Sequence, residues 1–471
     1  MSKPVIFIPG YPGSHLKTTE GKRIFLSLLK LLKPTQKFLQ QLEGPDDLGE
    51  DDGIVAGDPV ERLAKILLFD LAKQAKSLYE ILAKLGIDPE KFGYDWRRPV
   101  WDVGTQARLK AVVKTLNPGS GPKIVAIVHS TGGLVLRYFL EQNPTLAARF
   151  ERVIAFGVPW AGLLKSLQFL DARLKFATLT KKQAQRVVAH SWAGFDLLPP
   201  DPARTQMLDA EGNPLNLVVD GAGKQTSPLV KEGWFPQELK SAMKLRAGQT
   251  DSMLGARGPE LQLGGRKLPV TNVVGWGAET TVQATISGSG ANQKISRWEH
   301  ITEPGALDGG DATAPFRSAS WLRGADVSRY HLPVGYHRGA KKFSHSSLWR
   351  NPGGRNLLAH FLTGKKLKPF VYSAVDKTDF ERKGRSPVKV RISALDATGR
   401  PLSGVRIRAI DLTSGSGKPR TTDLGDGRHK IALPRARMRH IHGKRFRRTT
   451  LKIDWDGGSV NRVVVVNEQG G

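Results

Sequence analysis

Ile124-Val125-Ala126-Ile127-Val128-His129-Ser130-Thr131-Gly132-Gly133 decides the fold. Five apolar residues, four of them β-branched, read as a strand buried on both faces. The short polar and small residues that follow break it, and Leu134 to Leu140 continues at helical spacing. A further strand from Arg152 to Phe156 completes strand, turn, helix and strand within about 35 residues.

The pattern extends in both directions. Val5 to Ile8 reads as another buried strand, closed by Pro9-Gly10. Between Pro59 and Leu85, Leu63, Ile66, Leu67, Leu71, Leu78, Ile81 and Leu82 recur at helical spacing, with Gly86 as the stop. Arg108 to Leu116 continues as helix, and Gly119-Ser120-Gly121-Pro122 turns the chain. Val270 to Gly275 restores a strand. Alternating buried strands and amphipathic helices predict an α/β layer fold with a largely parallel sheet. Residues 163–260 are less regular and read as a cap or lid inserted between core elements.

After about Lys368 the texture changes to short alternating strands near Val388 to Ile392, Val405 to Ala409, His429 to Leu433, Leu451 to Ile453 and Val463 to Val466. Thr398-Gly399, Gly425-Asp426-Gly427 and Asp456-Gly457-Gly458 supply turns between them. The expectation is a catalytic domain over 1–368 and a small antiparallel β-sandwich of immunoglobulin-like type over 369–471.

Composition narrows the chemistry. The 471 residues carry 72 Lys and Arg against 43 Asp and Glu, a formal excess of +29, and no cysteine. Thiol catalysis, disulfides, iron–sulfur clusters and Cys-based zinc sites are excluded. No apolar run reaches the ~18 residues of a membrane span. The sequence enters its first strand at once, with no secretory signal pattern, so the expected location is cytoplasmic, or outside by a route that needs no such leader.

A serine on a tight turn between a strand's carboxyl end and a helix's amino end has its hydroxyl lifted out of the sheet, with free backbone N–H groups close by. Ser130 occupies that place, and Gly132 lets neighbouring chains crowd in. Val128 stands where the usual pattern has glycine, and the same serine could serve only as a helix N-cap. A serine nucleophile needs a base and an orienting acid, which in this kind of sheet follow in the order Ser, Asp or Glu, His on loops after later strands. Asp311, in Gly309-Gly310-Asp311-Ala312-Thr313-Ala314-Pro315, and His345, in Phe343-Ser344-His345-Ser346-Ser347, satisfy the order. Asp308 and His337 are their rivals on the same loops, while His129 is expected to pack within the turn. Oxyanion donors should come from the Thr131 N–H and, through Pro9-Gly10-Tyr11-Pro12-Gly13-Ser14, the Tyr11 N–H.

These segments together carry a resemblance. Pro4 to Leu16, Tyr94-Asp95-Trp96-Arg97, the serine turn, Gly157-Val158-Pro159-Trp160-Ala161-Gly162, Gly310-Asp311-Ala312-Thr313 and His345 resemble the lecithin:cholesterol acyltransferase family, which includes lysosomal-type phospholipases and phospholipid:diacylglycerol acyltransferases, over roughly residues 4–363. Ser191-Trp192-Ala193-Gly194-Phe195-Asp196-Leu197-Leu198-Pro199 resembles the stretch before the family's second cap segment. The resemblance implies an α/β-hydrolase with a cap, a lipase, phospholipase or O-acyltransferase that moves acyl groups of lipid esters through Ser130, Asp311 and His345, with Tyr11 and Thr131 as its oxyanion hole. It implies a structural role for the Asp-Trp-Arg unit and no cofactor or metal. A chain without cysteine departs from the lid disulfide that members often carry. The β-rich end lies outside the resemblance and looks like a bacterial immunoglobulin-like addition.

Trp101, Trp160, Trp192, Trp234 and Trp276 could line a lipid groove or pack in the core, and Trp160, beside the site, is the expected substrate contact. The acidic run 46–52 lacks the ligand spacing of a calcium loop and reads as solvated. From Arg435 to Arg448 there are seven Lys and Arg and no acid; from Val371 to the end the net charge is +12. With no nucleic-acid motif beside it, this charge favours peripheral contact with an anionic membrane over nucleic acid. The rival to an enzyme is a catalytically inactive hydrolase fold that binds membranes or polyanions through its basic end.

Overall fold

The computed structural model describes residues 3–25, 34–60, 74–175, 179–199, 207–209, 211–213, 258–276, 278–288, 294–301, 309–334 and 344–367, and beyond these the strand segments 372–375, 379–382, 389–395, 407–411, 419–425, 428–433, 439–441, 444–455 and 458–468. His337, Asp308, Trp234, part of the expected 59–85 helix, most of the later cap and the boundary at 368–369 lie outside the described residues.

A central sheet of six strands holds β1 (Val5–Ile8), β4 (Glu90–Lys91), β5 (Ile124–His129), β6 (Phe150–Phe156), β8 (Val270–Trp276) and β11 (Val327–Pro333), in the order β11-β8-β6-β5-β1-β4. Every pairing in it is parallel. Alternation along each strand divides the core. Ile6, Ile8, Ala126, Val128 and Val153 join Leu109, Leu134 and Phe139 on one face, whereas Val5, Phe7, Val125, Ile127 and Phe156 meet Leu78, Leu82, Trp349 and Leu357 on the other. Burial on both faces is why these strands read as unbroken apolar runs.

The first face is covered by α3 (Val103–Leu116), capped by Asp102 onto the Thr105 N–H at 2.8 Å, and by α4 (Thr131–Gln142). The second is covered by α2 (Gln74–Ala83) and α9 (Pro352–Thr363). Helix α1 (Gln36–Leu42) and the antiparallel pair of β2 (Ser14–Thr18) with β3 (Ile54–Pro59) flank the first face.

Short helices follow β6. The basic stretch divides into α5 (Lys165–Leu170) and α6 (Lys181–Ala189), followed by α7 (Trp192–Asp196). A hairpin outside the expected 163–260 range, β9 (Thr280–Ser287) with β10 (Lys294–Ile301), closes on these helices, and the short β7 (Met207–Leu208) pairs with β9. Ala284, Ile286 and Ile295 pack with Leu164, Leu167, Leu170, Val188 and Phe195. The short helix α8 (Phe316–Ala319) precedes β11.

At the C-terminal end, β12 (Tyr372–Val375), β14 (Lys389–Leu395), β16 (Arg420–Gly425) and β17 (Arg428–Ala432) form one sheet, ordered β12-β14-β17-β16. A second holds β13 (Asp379–Arg382), β15 (Ile407–Asp411), β18 (Arg439–Ile441), β19 (Lys444–Trp455) and β20 (Gly458–Glu468). The pairings are antiparallel with one exception: β13 runs parallel to β20, so the expectation of a wholly antiparallel region is corrected. Among the described residues, no helix is long and apolar enough to cross a membrane.

Candidate active site

Ser130 follows β5 directly and has φ 50° and ψ −129°, backbone angles that L-residues with a side chain rarely adopt. Such a conformation costs about 1–3 kcal/mol and is held by its surroundings. Here the Ser130 N–H donates to the Phe156 carbonyl at 3.0 Å and the Ser130 carbonyl accepts from the Gly133 N–H at 2.9 Å. The side chain makes no cap bond to α4, so the N-cap role is not the one it takes. The first turn of a helix leaves backbone N–H groups without intrahelical partners, and Thr131 opens α4.

The loop after β1 lies against this turn. A Cβ placed on Gly10 would stand 2.6 Å from the Ser130 Cβ, so only glycine lets the loop approach so closely. A Cβ on Gly132 would stand 2.4 Å from the Pro9 carbonyl oxygen, in keeping with its place beside the serine. Tyr11 follows at once, its ring edge-on to Trp96 with centroids 5.3 Å apart. Burial pushes its phenol up to about 12. Tyr94, raised by burial first and then by the charge of Asp196, is buried nearby. The Tyr11 hydroxyl interacts with Ser191 and the Tyr94 hydroxyl with Thr131, each easing part of the cost of burial.

Asp311 and His345 come from loops on either side of β11 and meet over the sheet. His345 Nδ1 lies 2.7 Å from Asp311 Oδ2, and the His345 backbone N–H donates to the Asp311 carbonyl at 2.8 Å. The other carboxylate oxygen, Oδ1, accepts from the N–H groups of Thr313 at 3.1 Å and Ala314 at 2.7 Å. Asp311 is fully buried, so both oxygens are held by the protein. The turn is fixed from below by the Thr280 hydroxyl, which accepts from the Ala312 N–H at 3.0 Å. From the start of α5, Lys165 Nζ donates to Thr313 Oγ1 at 2.9 Å. Burial lowers the Lys165 ammonium, and the Asp311 charge opposes that shift.

The two halves of the site touch at Gly157 and His129. A Cβ on Gly157, at φ +57°, would come 2.8 Å from Asp311 Oδ2 and 3.0 Å from His345 Nδ1. His129 Nε2 is 2.9 Å from the His345 carbonyl oxygen, and the two imidazole centroids are 4.7 Å apart. Neither contact is written in any motif spacing. The only sequence signal was the position of His129 beside the serine and of Gly157 after a strand.

Trp160 is 3% exposed, and its Nε1 donates to Asn272 Oδ1 at 3.1 Å. Trp101, Trp192 and Trp276 are buried as well. The Asp-Trp-Arg unit is a hub. Arg97, fully buried, donates from Nε and Nη2 to the two oxygens of Asp95 at 3.0 and 2.6 Å, and from Nη1 to Asp52 at 2.7 Å and to the Gln41 and Glu43 carbonyls. Its own carbonyl accepts from the Trp192 N–H at 2.9 Å, and Arg186 pairs with Glu43 at 2.6 Å. The acidic run is therefore pinned as well as solvated: Asp52 is held by Arg97, and the Leu48 and Glu50 carbonyls by Arg98, while Asp46, Asp47, Glu50 and Asp51 stay exposed. Among the described residues, no group of three His, Cys, Asp or Glu could hold a metal ion.

Residues 53–211 match the model of the lecithin:cholesterol acyltransferase family. Lysosomal phospholipase A and acyltransferase from Canis lupus familiaris is 30% identical over 88 residues, which cover 18% of this chain and 22% of the relative. The Mus musculus protein of the same description is 28% identical over 88 residues, covering 18% and 21%. The chain thus matches about a fifth of the length of these curated relatives. A solved structure of phospholipase PlaB from Legionella pneumophila aligns over 99% of this chain and 90% of its own at 10% identity, with a TM-score of 0.25, too low to bear on the fold. The family-matched stretch holds Tyr94 to Arg97, Ser130 and Gly157 to Gly162, whereas Tyr11, Asp311 and His345 lie outside it.

Proposed function

From the lecithin:cholesterol acyltransferase-like segment as premise, we propose that the chain is a serine lipid ester hydrolase or O-acyltransferase working through an acyl-enzyme. The observation that carries the reading is the buried Asp311–His345 pair, 2.7 Å across, whose base is joined through its carbonyl to His129, the residue before a strained Ser130.

In this mechanism His345 takes the proton of Ser130 through Nε2 as the hydroxyl attacks an ester carbonyl. Asp311 accepts from His345 Nδ1–H, which fixes the tautomer with Nε2 free to act as base and stabilises the imidazolium that forms. The N–H groups of Thr131 and Tyr11 receive the developing oxyanion, each worth about 10²–10³ in rate. His345 returns the proton to the leaving alkoxide, and the acyl-enzyme is then resolved by water or by an acceptor alcohol. No step calls for a metal or a cofactor.

The β-rich end, as an immunoglobulin-like module carrying net charge +12 from Val371 onward, would hold the enzyme on an anionic lipid surface where its substrate resides. The test begins with fluorophosphonate labelling and p-nitrophenyl ester hydrolysis by wild type and Ser130→Ala. Labelling of wild type alone, with loss of hydrolysis in the variant, is expected; wild-type hydrolysis by Ser130→Ala would sink the reading. Mass spectrometry of products from phospholipid and neutral-lipid vesicles, with and without a long-chain alcohol, separates hydrolase from transferase.

A further inference from the structure

We propose that His129 is a positioning residue for the reaction, a neutral imidazole that ties the nucleophile's strand to the main chain of the base. The inference rests on the Ser130, Asp311 and His345 reading, and it concerns a histidine to which that mechanism gives no task.

Three observations carry it. His129 ends β5, one residue before Ser130, and its Nε2 lies 2.9 Å from the His345 carbonyl oxygen. A carbonyl only accepts, so Nε2 carries the hydrogen and Nδ1 carries none. The second observation agrees with that tautomer. Nδ1 has no partner among the described residues and faces Gly10, whose added Cβ would stand 3.0 Å away, so no acid is placed there to draw a second proton. Third, the ring is wedged in place, 2% exposed, with centroids 4.7 Å from His345 and edge-on at 5.1 Å from Trp349.

The consequence is geometric. The Asp311 contacts at Nδ1 and at the backbone N–H fix His345 from the acid's side, but both come from a loop after β8 and say nothing about its distance from Ser130. The His129 bond is a polar tie between the His345 segment and the strand that carries the serine. A protonated His129 would place a second cation beside the imidazolium that forms on His345, and its buried, acid-free pocket prevents this; burial and the neighbouring His345 both hold its pKa well below the ordinary value of 6.5.

The test compares wild type with His129→Leu, which keeps the bulk and removes the donor, and His129→Gln, whose amide nitrogen reaches the place of Nε2. Steady-state hydrolysis of p-nitrophenyl butyrate and the rate of fluorophosphonate labelling are both read. His129→Leu should lose about 10- to 100-fold in kcat and in labelling rate with KM nearly unchanged, as small misplacements of reacting groups do; His129→Gln should recover most of that loss. Should His129→Leu fail to fold, His129→Gln is set against His129→Asn, whose shorter amide cannot span the gap, and Gln should exceed Asn by the same margin. Wild-type kcat in His129→Leu, equal losses in all variants, or a loss confined to KM overturns the inference while leaving the catalytic reading intact. Wild-type hydrolysis by Ser130→Ala, run beside them, overturns both.

Discussion

Asp311 holds His345 twice, side chain to side chain at 2.7 Å and backbone carbonyl to backbone N–H at 2.8 Å. Asp311→Asn removes only the first of these and leaves the loop's backbone link in place. It should lower kcat by about 10³–10⁴ with little change in KM, because the imidazole then rests in the wrong tautomer. Steady-state kinetics on a soluble ester, with circular dichroism to verify the fold, checks this.

Gly157 at φ +57° leaves room for the acid–base pair. Gly157→Ala brings a strained backbone angle and a Cβ within 3 Å of both Asp311 Oδ2 and His345 Nδ1. The expected cost is about 1–3 kcal/mol in urea unfolding, together with a fall in kcat larger than any change in KM. A variant with wild-type stability and rate would mean that the pair can shift aside freely.

Arg97 neutralises two carboxylates and satisfies two carbonyls from inside the protein. Arg97→Met strands Asp95 and Asp52 and should destabilise by about 3–5 kcal/mol. Arg97→Lys should recover little, since a point charge cannot reproduce the forked contacts to Asp95 and Asp52. Urea denaturation of the three proteins measures both effects.

Acid should destabilise the fold partly through His129. Its folded pKa is depressed, so below about 6.5 the unfolded chain gains a proton that the folded chain refuses. The stability is therefore full above that pH and is lost as pH falls. The slope from this one group approaches about 1.4 kcal/mol per pH unit. His15, also lowered by burial, acts in the same sense. The difference in unfolding free energy between wild type and His129→Gln, followed from pH 7.5 to 5.5 by urea titration, isolates the His129 part; a difference that does not change with pH would refute it.

Charge reversal of Lys444, Arg445, Arg447 and Arg448 along β19 should weaken binding to anionic vesicles by about tenfold or more, at roughly 1 kcal/mol for each residue near the surface. Added salt should weaken wild-type binding in the same way. Vesicle sedimentation reads both, and binding unchanged by either would dispose of membrane docking through this end.

The parallel sheet was legible because strands buried on both faces leave unbroken β-branched runs, as in Val5–Ile8 and Ile124–Val128. The two-residue β4 left no such run. The β9–β10 hairpin escaped notice because its inward residues, Val282, Ala284 and Ile286, alternate with Thr281, Gln283, Thr285 and Ser287, a pattern too weakly apolar to stand out. Asp311 and His345 could be placed by chain order and by their seats on loops after strands. The contacts of His129 and Gly157 with that pair could not, because they depend on how far separate strand ends project above the sheet. For Trp160 the motif gave the neighbourhood of the site but not the direction of the indole, whose N–H is bonded to Asn272.

The double link between Asp311 and His345 bears on how the pair keeps its geometry. Because each residue carries its own attachment to the other, the acid and the base move as one fastened unit, whatever joins them to the sheet. The geometry between acid and base, which sets the imidazole's tautomer, is thereby settled within 309–315 and 344–350 themselves, and the distance from the base to Ser130 is left to other contacts. A substitution that breaks one of the two links leaves the other to hold the pair together, so orientation and attachment can be lost separately.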